Sequence, residues 1–260
     1  MENTPHYPDL LRLIGERSTV FRATVASAPS LDVQVPTCPE WTLFDLVQHL
    51  GGVHRRWAAT TAAGPADAPA VVADAETALA APREREALLT WSAASTQALL
   101  ESLREAGPDR GCWTWWGDSQ SSQTCGAVAR HQVQEAATHT YDAQLAVGAP
   151  QSLPDDVALD GVDEFLTTCC ATTSAWPHEP AVLDFHAAEG RSWRLLLSAA
   201  GARVTRPPAP GASAATTADA SARGTAGELV LTLYGRIPAD SLELDGDRRL
   251  FDLLKAWEPE

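Results

Sequence analysis

The strongest constraint on this chain is a change of hydrophobic period close to residue 178. Up to about residue 175, apolar residues recur at the 3.6-residue spacing of helices; after Trp176-Pro-His-Glu-Pro180 they alternate with a period of two. One stretch cannot satisfy both periods, so the chain reads as α+β with two parts, a helical bundle over residues 1–177 and a small α+β domain over 178–260. Its 260 residues are enough for two modest cores.

Within the first part, Leu10, Leu13, Ile14, Phe21 and Val25 mark a helix behind Pro8, and Val33–Glu40 reads as a Pro-containing loop. Thr42 and Asp45 have the spacing of a capping box, opening a helix that carries Leu43, Leu46, Leu50 and Trp57 inward. A third helix is expected from Pro82 to Ala106, stopped by Gly107-Pro108, and a fourth from about Thr124 to Gly148. A fifth follows Ser152 and Pro154. Helices joined by loops in this way make an up-down bundle, whose core can take a metal from facing helices. In the second part, strands are expected at Val182–Ala187, Ser192–Ala199 and Ala202–Arg206, then a helix at Thr225–Tyr234, a strand near Leu242–Gly246 and a last helix at Arg248–Trp257. Pro207–Ala222, rich in Ala, Ser, Thr and Pro, reads as a surface loop.

Glu135 and His139 lie four apart in a run without a helix breaker, which stacks a carboxylate and an imidazole on one face. The same spacing also occurs in ordinary surface pairs. A metal would need a third ligand, which the second helix offers in His49 or His54; His54 lies nearer the centre of the apolar stripe and His49 at its edge. Two His and one Glu leave a coordination position open, the arrangement of catalytic zinc.

Charge and composition narrow the partners. The net charge of -15, with no large Lys/Arg cluster, argues against nucleic acid. No stretch of 18 apolar residues exists, so no membrane span is expected, and the first residues lack the charge and apolar pattern of a signal peptide. A cytoplasmic protein is expected, as a monomer or small homo-oligomer. Five Cys without a C-x-x-C fit reduced thiols.

The motifs Val35-Pro-Thr-Cys-Pro-Glu-Trp-Thr42, Leu46-Val-Gln-His49-Leu-Gly-Gly-Val-His54 and Glu135-x-x-x-His139 with Tyr141-Asp142-Ala143 resemble one known family, as does the tail Gly227-Glu-Leu-Val-Leu-Thr-Leu-Tyr-Gly-Arg236-Ile-Pro-Ala-Asp240. The chain is similar to mycothiol-dependent maleylpyruvate isomerases, a branch of the DinB-like metal-binding four-helix bundles. That resemblance implies a zinc ion on His49, Glu135 and His139, mycothiol as thiol cofactor, and Arg236 as an active-site and cofactor-binding arginine. It implies isomerisation or S-transfer on a small electrophilic substrate; a thiol-independent metal-assisted hydrolase or lyase, or a non-catalytic metal- or ligand-binding protein, are the alternatives.

Gln134 stands where many members have His, and His131 where Arg is common. His131, Glu135, His139 and Asp142 form one helical stripe, so His131 is a candidate proton donor or thiol contact unless it faces solvent, and Asp142 a candidate partner for a ligating His. Trp113, Trp115 and Trp116 either wall a pocket or pack the loop that precedes this helix. Trp41 reads as a staple residue before the second helix.

Overall fold

The computed structural model describes residues 4–71, 80–207 and 217–258. The chain folds into two compact units: Met1–Trp115 with Gln123–Leu153, and Trp116–Ser122 with Pro154–Glu260.

The first unit is a four-helix bundle of α1 (Tyr7–Ser27), α2 (Leu43–Ala63), α3 (Arg85–Ala106) and α4 (Cys125–Ala146). Each start has a local cause. Pro8 occupies the first turn of α1, and Thr42 and Asp45 form the expected capping box on α2. Glu84 caps α3 through the amides of Glu86 and Ala87, and Thr124 caps α4 through that of Ala127. Phe21, Val25, Leu43, Leu46, Leu50 and Leu88 join in one core cluster. Contacts down the helices give their directions. Tyr7 reaches the Leu103 carbonyl and Arg85 that of Val25, so α1 and α3 are antiparallel. His54 meets Thr96 and Thr61 meets Ser102, so α2 and α3 run parallel. Strict alternation therefore gives way between α2 and α3. A short antiparallel hairpin, β1 (Gln34–Val35) and β2 (Cys38–Thr42), occupies what reads in the sequence as a plain loop.

In the second unit α5 (Asp155–Phe165) runs into a π-helical turn, Leu166–Cys170, closed by the Ala171 amide on the Leu166 carbonyl at 2.9 Å. A five-stranded sheet follows: β3 (Ala181–Ala187), β4 (Ser192–Ser198), β5 (Gly201–Thr205), β6 (Ala220–Gly224) and β7 (Glu243–Gly246), in spatial order β5-β4-β3-β6-β7. Only β3 and β6 pair in parallel; the other neighbours are antiparallel. Leu183, Phe185, Leu195, Leu197 and Ala222 point to the buried face, against α6 (Ala226–Leu233) and α7 (Arg249–Ala256). Thr225 and Glu228 make a second capping box at the start of α6.

One expectation is corrected here. It concerns Pro207–Ala222, of which residues 208–216 lie outside the described ones: its end forms part of strand β6. Ala, Ser and Gly carry little strand preference, and β6 is fixed instead by pairing on both edges, with β3 and β7. The two compact units divide at Leu153/Pro154, with α5 in the second unit by packing, while the change of hydrophobic period lies near residue 178. The Trp193 indole donates to Asp163 at 3.0 Å, and Phe165 meets Tyr234 edge-on. Periodicity marks where the type of element changes, which is not where the core changes. No disulfide joins the five cysteines.

Candidate metal centre

Helix α4 explains itself poorly as a surface helix. His131, Gln132, Gln134, Thr138, His139, Thr140 and Asp142 are all buried along it, among Val128, Val133, Ala136 and Ala143. Burying so many polar groups is costly unless they meet partners, so the helix announces a polar site inside the bundle.

That site is where α4 faces α2. His49 Nε2 lies 3.0 Å from Glu135 Oε1, and His139 Nε2 lies 3.3 Å from the same oxygen. The imidazoles of His49 and His139 stand edge to face, 4.9 Å between centres. One donor atom from each of the three residues falls within 4.8 Å of the others, the one such group among the described residues. Around a tetrahedral zinc ion, with bonds of about 2.0–2.1 Å, donor atoms stand about 3.4 Å apart. Both separations to Glu135 lie within a few tenths of an ångström of that value, so the donor set fits such an ion. His49 keeps 30% of its side chain exposed, against 7% for His139, which leaves the His49 side of the cluster open to solvent.

A further layer fixes His139. Its Nδ1 is 2.9 Å from Asp142 Oδ2, while the Thr37 hydroxyl donates to Asp142 Oδ1 at 2.7 Å. A buried carboxylate on Nδ1 keeps the proton there and presents Nε2 as the donor towards the centre. Thr37, in the turn between β1 and β2, carries no sign of this role in the sequence beyond its place in the Val-Pro-Thr-Cys motif. Trp41 does more than staple α2: its ring lies against His49, 4.7 Å between centres.

Electrostatics follow from this packing. Burial pushes the Glu135 carboxyl up, but His139 and His49, with His131, outweigh it and hold the group well below its usual range. Burial pulls His139 down, yet Glu135 and Asp142 lift it to about 9 in the metal-free protein. Both shifts describe one buried ion pair.

The remaining candidates fall as follows. His54 is not among the three donors. It is buried with Nδ1 3.2 Å from the Thr96 hydroxyl, rather than on a backbone carbonyl, and desolvation lowers it to about 4. His131 is buried rather than exposed, with the Trp115 ring edge-on at 5.7 Å. Trp113 stacks on Trp57 at 6.3 Å, while Trp116 belongs to the second unit. Arg236 also belongs to the second unit, in the turn that ends α6. Its amide donates to Leu231 O at 2.7 Å and its Nη1 to Tyr234 O at 2.8 Å, around Gly235 at φ 72°. No described helix is long and apolar enough to cross a membrane.

Comparison with known proteins adds the following. The model of the mycothiol maleylpyruvate isomerase N-terminal domain matches residues 11–144, and that of the MDMPI C-terminal domain matches residues 156–253. Among solved structures, the crystal structure of the mycothiol-dependent maleylpyruvate isomerase matches with a TM-score of 0.62 and 13% identity, over 93% of each chain. A histidine-to-alanine mutant of the same isomerase gives 0.58 and 13%, again over 93% of each chain. At that identity the likeness is one of fold. Curated proteins give no match.

Proposed function

Since the chain belongs to the mycothiol maleylpyruvate isomerase family, a family of enzymes, we propose that it is a zinc- and mycothiol-dependent isomerase or S-transferase acting on a small electrophile. The observation that carries this reading is the buried trio of His49, Glu135 and His139 with Asp142 behind it. A zinc ion held by those three donors supplies a Lewis acid that keeps a thiol deprotonated at neutral pH, where a free thiol with a pKa of about 8.5 is mostly protonated.

The protein's own residues account for the rest. Asp142 holds the Nδ1 proton of His139 and so fixes which nitrogen faces inward. Trp41 covers one face of His49 and limits water there. His131, buried beside Trp115, is placed in the reading to pass a proton to and from the substrate as a thiol adds to its double bond and leaves again. Arg236 is assigned to a carboxylate of the substrate or of mycothiol, whose two oxygens match the guanidinium fork. The net charge of -15 gives no general attraction for anions, so such local cations matter.

The test is turnover of maleylpyruvate and related unsaturated keto acids by zinc-loaded protein, with and without mycothiol. Activity that appears only with the thiol supports the reading. Metal-dependent activity without thiol assigns hydrolytic or lyase chemistry, and retained metal with no turnover of any electrophile assigns a binding protein. Arg236→Lys is expected to lower kcat/KM by at least about tenfold, since a point charge cannot copy the fork, with metal content unchanged. Full activity of that variant removes Arg236 from the mechanism.

A further inference from the structure

In the first unit, the start of α4 lies against the chain that follows α3. Gly111 and Thr124 form an antiparallel bridge, flanked by backbone hydrogen bonds from Cys112 to Gln123 O at 3.2 Å and from Cys125 to Arg110 O at 2.8 Å. Just beyond, the Gly126 amide donates to Pro108 O at 2.9 Å. Side chains alternate across such a ladder, so the residues that follow the two bridge partners share one face. Those residues are Cys112 and Cys125. Their thiols lie within interaction range, Cys112 as donor and Cys125 as acceptor, and both are buried. They form no C-x-x-C, and neither belongs to the group of candidate metal donors.

The two thiols are not equivalent. Cys125 opens α4, where the first amides of a helix favour negative charge. The Cys112 donor holds the Cys125 thiol below its usual range, against desolvation by burial, and Arg110 adds to this. Cys112 is raised by the same hydrogen bond and by burial. A sulfur inclined to ionise, with a second thiol against it, is the arrangement of an attacking and a resolving cysteine. Access decides the reagent. With 4% of Cys112 and none of Cys125 exposed, a bulky disulfide cannot line up on either sulfur, whereas hydrogen peroxide is little larger than water. We propose that Cys112 and Cys125 form a modification site at which a small hydroperoxide, and not the disulfide of a low-molecular-weight thiol, closes a disulfide bond. The Cys125 sulfur attacks one peroxide oxygen: an S–O bond forms, the O–O bond breaks, and the departing hydroxide takes the proton that Cys125 releases. The Cys112 sulfur then attacks the Cys125 sulfenic acid; the S–S bond forms, the S–O bond breaks, and hydroxide leaves with the Cys112 proton. Two thiols lose two electrons in all, and one hydrogen peroxide becomes two waters. Neither cysteine takes part in the proposed isomerase or transferase reaction, so this site stands apart from it.

Peptide mapping of the full-length, zinc-loaded protein after treatment with hydrogen peroxide tests it, with the remaining thiols alkylated on unfolding. The expected result is loss of two of the five free thiols to a Cys112–Cys125 crosslink, before Cys38, Cys169 or Cys170 is oxidised. Oxidised glutathione at the same concentration should leave the pair reduced. Cys112→Ser should stop the reaction at a sulfenic acid on Cys125, which dimedone traps, whereas Cys125→Ser should leave Cys112 unmodified. Cys112 and Cys125 that stay open to alkylation while another thiol oxidises overturn the inference, as does a glutathione adduct on either. Dimedone on Cys112 in Cys125→Ser overturns the assigned order of attack. If neither variant folds, the crosslink map of the unsubstituted protein decides alone.

Discussion

His139 is the residue on which the centre turns, because it touches Glu135 through one nitrogen and Asp142 through the other. His139→Ala or Glu135→Ala should leave two donors and no stable metal, whereas His54→Ala should retain it; metal analysis after dialysis separates the two cases. Asp142→Asn removes the charge that fixes the imidazole and is expected to lower metal affinity by about 10- to 100-fold, read by competition with a chelator. The pH response has a definite sign. In the metal-free protein His139 titrates at about 9, above the value of about 6.5 expected in the unfolded chain. Its contribution to stability is therefore complete below pH 6.5 and disappears as pH rises through 9. Zinc has to displace that proton, so binding between pH 6.5 and 9 should release about one proton from this site. Calorimetry at pH 7.5 in two buffers of different ionisation heat measures it, and an identical binding heat in both rejects the ion pair.

At the scale of elements, one tight constraint is the packing of α2 on α3. A Cβ built on Gly51 would come within 2.1 Å of the Trp91 ring, whose other neighbour is the Arg55 guanidinium at 5.1 Å. Gly51→Ala is therefore expected to destabilise the bundle by roughly 1–3 kcal/mol, despite the better helix propensity of Ala, and a melt that stays put would mean the ring moves aside freely. This close approach also shows what the sequence conveys and what it does not. The capping box at Thr42 and the pair Glu135 and His139 are local patterns, and the helix turns them directly into geometry. Thr37 and Asp142 are 105 residues apart and meet only through packing, so no spacing rule finds them. His49 and His54 are separated by less: the apolar stripe favours His54, and it is the polar contact with Glu135 on the facing helix that selects His49. Strand β6 escapes notice for the same reason as Thr37, since Ala, Ser and Gly become a strand only between two partners.

The whole molecule carries 34 acidic side chains against 19 basic ones. Such an excess opposes compaction through self-repulsion, which salt screens over about 10 Å at 0.1 M. Raising sodium chloride from about 20 mM to 0.5 M should accordingly raise the melting temperature of the metal-loaded protein, as followed by scanning calorimetry; a fall would place the dominant charge effects in attractive pairs instead. Each unit has its own core, and all three proposed metal donors sit in the first, on helices that the chain reaches far apart in time. His49 precedes Glu135 by 86 residues. At about 5–20 residues per second of synthesis, the earlier histidine waits roughly 4–17 s for its carboxylate to be made. The nascent chain thus holds one imidazole ready and no complete donor set, and the proposed site can assemble only after more than half the protein has left the ribosome.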